Sequence, residues 1–218
     1  MRLRNVRGAR EAIEADPFCE CVPEKRRGEW KDFFDGERPL HLEIGCGKGR
    51  FLAQMAAEHP EINYLGIEKY SSVLVRALKK QQELQLKNLR FTRMEAEILP
   101  MVFAPGEVER IYLNFSDPWP KERHAQRRLP SAGFLARYEE VLIPGGLVIF
   151  KTDNEALFDF ALEEIPRAGW ETETVSRDLH ADPVLVKDNC MTEYEERFVS
   201  MGKPIFYAVM HKAQREGE

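Results

Sequence analysis

The chain has 218 residues, 43% hydrophobic and 32% charged, with a formal net charge of -5. That length and apolar content can bury the core of one domain and exclude a disordered chain, and the net negative charge excludes nucleic-acid binding by the surface as a whole. Cys19, Cys21, Cys46 and Cys190 form neither CxxC pairs nor a framework spacing, and no apolar run approaches the roughly 20 residues that cross a bilayer, so the expectation is a soluble, cytoplasmic protein with reduced thiols, no metal and no membrane partner.

In chain order, residues 1 to 37 show few periodic signals apart from Trp30, Phe33 and Phe34, which suit a short helix packed on the body. With Arg2, Arg4, Arg7 and Arg10 and no acid before Glu11, they read as a basic arm and lead-in to one domain over residues 38 to 218. The arm either reaches a phosphate backbone or is a solvated terminus. Leu40 to Ile44 is a short apolar strand, followed by GCGKG and then by Phe51, Leu52, Met55 and Ala56 at helical spacing, the opening of a βαβ unit. Ile62 to Ile67 is a second strand, Ser71 or Ser72 caps a helix burying Leu74, Ala77, Leu78 and Leu84 or Leu86, and Leu89 to Met94 is a third strand. Arg110 to Phe115 is a fourth. The next helix carries Phe134, Leu135, Tyr138, Val141 and Leu142 on one face and stops at Pro144-Gly145-Gly146. Leu147 to Lys151 is a buried strand ending in Thr152-Asp153-Asn154, a helix then buries Leu157, Phe160, Ala161 and Ile165, and Trp170 to Val175 and Ile205 to Met210 complete the strands. Alternating strands and helices predict an α/β fold, a doubly wound and mainly parallel sheet.

Two stretches carry chemistry. Gly45, Gly47 and Gly49 form G-x-G-x-G between a strand and a helix. A dinucleotide fingerprint would need glycine where Arg50 stands, and a Walker A loop would need Ser or Thr where Gly49 stands, so both fail. Glu43 before the loop suits a cationic amino group, and Glu68, at the end of the second strand, suits vicinal ribose hydroxyls. Together they fit S-adenosylmethionine, with Glu95 and Ala96 as candidates for its adenine edge; Glu95 alternatively reads as a surface glutamate. The second stretch is NFSDPWPKERHAQRRL, from Asn114 to Leu129. It sets Asp117 just past a buried strand, stiffens the following loop with Pro118 and Pro120 around Trp119, and then turns basic through Lys121, Arg123, Arg127 and Arg128. An acid edged by a basic lip suits a nucleobase on a nucleic-acid backbone.

LEIGCGKG, GIEKY, NFSDPWPKERHAQRRL, KTDN and TEYEERF, in this order from Leu42 to Phe198, resemble the bacterial tRNA (guanine-N7-)-methyltransferase family. The resemblance implies a Rossmann-like methyltransferase fold with a C-terminal antiparallel strand, S-adenosylmethionine as methyl donor with S-adenosylhomocysteine as product, and methylation of a guanosine in the tRNA variable loop. It implies that Glu43, Glu68, Glu95 and Asp117 contact the cofactor and that Asp117 is also the active-site acid. It further implies that Lys121, Asp153 and the run Thr192, Glu193, Tyr194 and Glu195 contact substrate. Two of these have structural readings beside them: Thr192 and Glu195 spell a capping box, and Asp153 can help Asn154 cap a helix. Glu95 stands where Asp is common in the family. The rival readings are a methyltransferase acting on an exocyclic base amine and a tRNA-binding module without turnover. No stripe of apolar residues decides between a monomer and a homodimer.

Overall fold

A computed structural model describes residues 7–34, 36–187 and 189–213. Arg2 and Arg4 lie outside them. The strands are β1 (Cys19–Glu20), β2 (Leu40–Ile44), β3 (Asn63–Ile67), β4 (Leu89–Thr92), β5 (Val108–Asn114), β6 (Leu142–Thr152), β7 (Trp170–Ser176) and β8 (Phe206–Lys212). The helices are α1 (Ala9–Glu14), α2 (Arg50–Glu58), α3 (Ser71–Leu84), α4 (Leu99–Val102), α5 (Ala132–Val141), α6 (Glu155–Arg167), α7 (Pro183–Lys187) and α8 (Glu193–Ser200), with short 3-10 turns between them. The strands form one sheet in the order β1-β4-β3-β2-β5-β6-β8-β7. Pairing is parallel from β1 to β6, and β8 runs antiparallel to both β6 and β7. The doubly wound, mainly parallel sheet and its antiparallel C-terminal strand are as the sequence predicts.

The sheet is buried on both faces because helices cover both, and every residue of β2 and β3 is buried, the polar His41, Glu43 and Asn63 among them. One face packs α4, α5 and α6 against Leu42, Ile44, Ile111 and Phe150; the other packs α1, α2 and α3 against Tyr64, Leu89 and Phe91. From β2 the chain winds outward through β3 and β4 and then returns to lay β5 on the other side of β2. Neighbouring crossovers therefore diverge between β2 and β5, and a crevice opens at the carboxyl ends of those strands.

Three local features differ from the sequence expectation. Neither Ser71 nor Ser72 caps α3, because the helix starts one residue earlier on the Tyr70 carbonyl, which accepts from the N–H groups of Val73 and Leu74. Pro144-Gly145-Gly146 does not separate helix from strand: α5 ends at Val141 and β6 begins at once, with the Pro-Gly-Gly taken up in a register shift against Val108 and Arg110. Residues 7–34 are also more integrated than periodicity suggested. Ile13 of α1 is buried, Gln82 of α3 donates to the Asp16 carboxylate at 2.7 Å, and β1 adds a parallel strand to β4. Arg10 is occupied by Glu14 at 3.1 Å. Among the described residues, no helix is long and apolar enough to cross a membrane.

Trp30 anchors this lead-in. It is 0% exposed, stacks on Phe103 at 5.2 Å between centroids and donates its indole N–H to the Val102 carbonyl at 3.0 Å. The Glu107 carboxylate gathers the N–H groups of Gly28, Trp30 and Ala104 around it. Trp30→Ala should therefore cost about 3–5 kcal/mol, as large aromatic truncations in cores do, read as a drop in the urea midpoint; a loss below about 1 kcal/mol would mean that this segment is not part of the core.

Candidate functional site

The crevice between β2 and β5 is lined by side chains that the strand ends cannot avoid presenting. Glu43, one residue before the end of β2, is 3% exposed. Its Oε1 accepts from the Asn114 side-chain amide at 2.8 Å, a bond that crosses the switch point, and its Oε2 is buried with no hydrogen-bond partner in the protein. Burial raises its pKa to about 7, against the smaller opposing effects of the Asn114 bond and the Lys151 charge. A carboxylate so placed is poised to accept a cation or another donor.

Gly45, Gly47 and Gly49 follow, all with left-handed backbone. A side chain at Gly47 would meet no atom within 4 Å, so there the requirement is the backbone angle of +57°, and the loop borders open space. The N–H groups of Gly45 and Cys46 are held by the Ile67 carbonyl, while that of Gly47 donates to Glu68 Oε2 at 3.2 Å. The other oxygen of Glu68 accepts from the Tyr70 N–H at 2.9 Å. Glu68 is thus fixed beside the loop, and burial raises its pKa despite those N–H contacts. Gly66 fills a different need: a Cβ there would lie 2.5 Å from the Phe91 ring, so the loop and β3 pack only with glycine. Glu95 is exposed at the start of the 3-10 turn Ala96–Ile98, and Ala96 is buried behind it.

After β5 the chain bends sharply. Phe115 has φ of 52° and Trp119 has φ of 41°, left-handed values that are strained for aromatic residues and cost of order 1–3 kcal/mol each. The surroundings hold the bend. Arg128 donates two guanidinium N–H bonds to the Trp119 carbonyl at 3.3 and 3.2 Å and lies 4.3 Å from the Phe160 ring. Arg128, read from sequence as part of the basic lip, is instead buried and acts as the brace of this loop, because the guanidinium fork matches a carbonyl that the bend leaves without a backbone donor. Arg127 sits 5.1 Å and Lys69 6.0 Å from the Trp119 ring, and Asp117, Lys121, Arg123 and Arg127 are all exposed.

Helix α8 is drawn to the glycine loop by its acids. Glu193 meets Lys48 at 2.9 Å, and Glu196 takes a two-point contact with Arg50. The third acid lies inside. Glu195 is 0% exposed; it accepts from Lys151 Nζ at 3.0 Å, faces His180 at 3.0 Å, takes an Asn189 amide bond at 2.6 Å and closes the capping box with Thr192. Expected among the substrate contacts, Thr192 and Glu195 are engaged within the fold, whereas Tyr194 is 55% exposed. Asp153 takes no part in capping: Asn154 caps α6 by accepting from Leu157 N–H, leaving Asp153 half-buried at the strand end.

The structure therefore brings together Glu43, the glycine loop, Glu68, the bend after β5 and α8. Among the described residues, no side-chain hydrogen bond or ion pair links Glu95, Lys121 or Arg123 to that group. Sequence reasoning missed Asn114, Lys151, Lys48 and Arg50. A lysine closing a buried strand was the available signal for Lys151, since a buried ammonium requires a partner. Among the described residues, no cluster of His, Cys, Asp and Glu could hold a metal ion.

Comparison with known proteins fits this geometry. Residues 37–208 match the family described as "Putative methyltransferase". The tRNA (guanine-N(7)-)-methyltransferase of Lachnoclostridium phytofermentans is 54% identical over 205 residues, 94% of this chain and 95% of that protein. The protein of the same name from Bacillus cytotoxicus is 48% identical over 207 residues, 94% of each. Among solved structures, one titled an antibiotic related methyltransferase superposes with a TM-score of 0.64 at 20% identity, covering 87% of this chain and 94% of that one. The 16S rRNA methyltransferase KamB superposes with a TM-score of 0.63 at 17% identity, covering 84% and 91%. At such identities these two speak for the fold.

Removing Glu195 should expose how α8 is held. Glu195→Ala leaves the Lys151 ammonium buried without its counter-charge and should cost about 3–5 kcal/mol in urea unfolding. Glu193→Ala, on a solvent-exposed pair, should lose far less. Equal losses would show that the buried pair is not what holds the helix.

Proposed function

The chain belongs to the tRNA (guanine-N7-)-methyltransferase family, and from that premise we propose that it transfers the methyl group of S-adenosylmethionine to N7 of a guanosine in the tRNA variable loop. The observation that carries the cofactor assignment is the buried, unpartnered Oε2 of Glu43 at the switch point. A carboxylate there is satisfied by the ammonium of an amino-acid moiety, Glu68 retains lone pairs for a ribose diol, and Gly45, Gly47 and Gly49 let such a ligand approach the backbone. In this reading Glu95 and Ala96, at the turn after β4, border the adenine attached to that ribose. When bound, S-adenosylmethionine supplies an electrophilic methyl carbon on a sulfonium.

Guanine N7 carries a lone pair outside the aromatic sextet, so it attacks without first losing a proton. A bond forms between N7 and the methyl carbon as the carbon–sulfur bond breaks, the electron pair of that bond staying on sulfur, and no general base is needed. The protein's work is then positioning, which supplies roughly 7 to 11 kcal/mol when alignment is good. In this reading Asp117 accepts from the guanine N1–H and amino edge and stabilises the positive charge arriving on the purine, while also bordering the cofactor. Asp153 shares the acidic rim. Lys121, Arg123 and Arg127 take flanking phosphates, a local footprint compatible with a net charge of -5. Tyr194 offers its exposed ring to the base, and Glu193 sets its place through Lys48.

Nucleoside mass spectrometry of an unmodified tRNA transcript, incubated with the protein and S-adenosylmethionine, should yield 7-methylguanosine, and ribonuclease mapping should place it in the variable loop. Methylated adenosine or cytidine would instead assign an amino-methyltransferase. Asp117→Ala should lower kcat by on the order of 10² to 10³; an unchanged rate in a folded variant removes Asp117 from the mechanism.

The raised pKa of Glu43 gives a pH dependence. In the free protein the group is neutral below about 7 and ionised above it, and a bound ammonium favours the ionised form. S-adenosylhomocysteine affinity, measured by calorimetry, should therefore rise up to about tenfold per unit as pH increases towards 7 and then level off. Glu43→Gln should bind more weakly with a flat profile, and a profile shared by both proteins would assign the titration elsewhere.

A further inference from the structure

Phe115, Tyr194 and Phe198 are three large rings that belong to neither hydrophobic core. Tyr194 and Phe198 stand one helical turn apart on α8, and Phe115 comes from the bend after β5, two residues before Asp117. Their planes are nearly parallel, 21° to 29° apart, and the three centroid separations are almost equal at 6.3, 6.2 and 6.4 Å. A column of stacked rings would place its outer pair twice as far apart as its neighbours. Equal spacing means a triangle, so no ring is sandwiched between the other two and ring faces are left uncovered. Phe115 and Phe198 are only partly buried, and Tyr194 is exposed.

The backbone at Phe115 is held where it is. Its N–H donates to the Lys151 carbonyl at 2.9 Å, its φ is left-handed, and its neighbour Asn114 is tied to Glu43. Phe198 has Lys203 Nζ 5.2 Å from its centroid. A strained backbone that places an aromatic ring outside the core, beside the exposed acid of the site, points to a ligand with a flat face.

Resting on the reading of a guanine substrate, we propose that these rings form an aromatic wall on which the target base stacks, with Phe115 touching the base beside Tyr194 and Phe198 acting as a positioning residue that sets both. Asp117 meets the base in its plane, at the N1 edge; the wall meets its face. The two also differ in timing. Neutral guanine gains only stacking, whereas the purine that receives the methyl group becomes cationic, and an aromatic face attracts a cation. The contact therefore strengthens along the reaction and acts on kcat as well as on KM.

The test begins with the wild-type protein, whose failure to form 7-methylguanosine on tRNA would overturn the guanine reading and this inference with it. Given that activity, Phe115→Leu keeps an apolar side chain without a π face. It should lower kcat/KM for tRNA by about 10- to 100-fold, with part of the loss in kcat, while S-adenosylhomocysteine affinity stays within about twofold of wild type. Phe115→Tyr should recover most of that loss. Phe198→Leu, on ordinary helical backbone, should show a smaller fall in the same direction and keeps the test open if the Phe115 variant does not fold. The wall is overturned by any of three results. These are a folded Phe115→Leu or Phe198→Leu protein with kcat/KM unchanged, a Phe115→Tyr protein as impaired as Phe115→Leu, or a loss of S-adenosylhomocysteine binding matching the loss of activity, which would set the ring at the cofactor.

Discussion

One buried ammonium organises the carboxyl end of the sheet. Lys151 lies one residue before the end of β6 with its side chain almost wholly out of solvent, and a charge in that position must be surrounded by acceptors. Asn189, the Cys190 carbonyl and Glu195 provide them, at 2.5, 2.9 and 3.0 Å. All three lie on the segment that leads into α8 or on its first turn, so satisfying Lys151 fixes where that helix begins. From there Glu193 and Glu196 reach Lys48 and Arg50, and Tyr194 and Phe198 meet Phe115. The same ammonium partly offsets the burial of Glu43. The crevice at Glu43 and the rings on α8 are thus both linked to one buried ammonium, though they come from segments far apart in sequence.

The fold and the outline of the site were legible because they rest on local signals. Strand periodicity, the glycine spacing and the two prolines around Trp119 each act within a few residues, and they located β2 to β8 and the bend after β5. The residues that escaped notice derive their roles from distant partners. Asn114 is an unremarkable amide until it meets Glu43 across 71 positions, and Arg128 looks like one more cation of a basic run until Phe160 and the Trp119 carbonyl are set beside it. Glu195 illustrates the opposite difficulty. Its capping-box role was readable because it is local, but that pattern is silent on distant partners, and these separate the buried Glu43, with one oxygen unmet, from the buried Glu195, committed to Lys151 and His180. The lead-in was underestimated for a similar reason, since a two-residue strand such as β1 has too few positions to show a period.

The bend after β5 combines strain with bracing. Two aromatic residues in left-handed conformation would relax if the loop were free, and the proline rings alone do not oppose that, because they fix their own φ and not that of Phe115 or Trp119. Arg128 holds the second bend, and the β6 backbone holds the first through the Lys151 carbonyl. Asp117 lies between the two fixed points, so its position follows from the loop, and among the described residues no hydrogen bond reaches its carboxylate.

The placement of β8 has a consequence for how the sheet is assembled. β8 lies between β6 and β7, so β7 leaves the ribosome before β8, the strand it pairs with among the described residues. Until β8 arrives, β7 has no place in the sheet and β6 presents an open edge. This edge is built out of order during synthesis, by an insertion that joins two waiting strands at once. A stalled or truncated chain ending between residues 177 and 205 would carry the glycine loop and the bend after β5 yet leave that edge unpaired. Such a product is prone to association through the exposed strand and is a natural target for quality control.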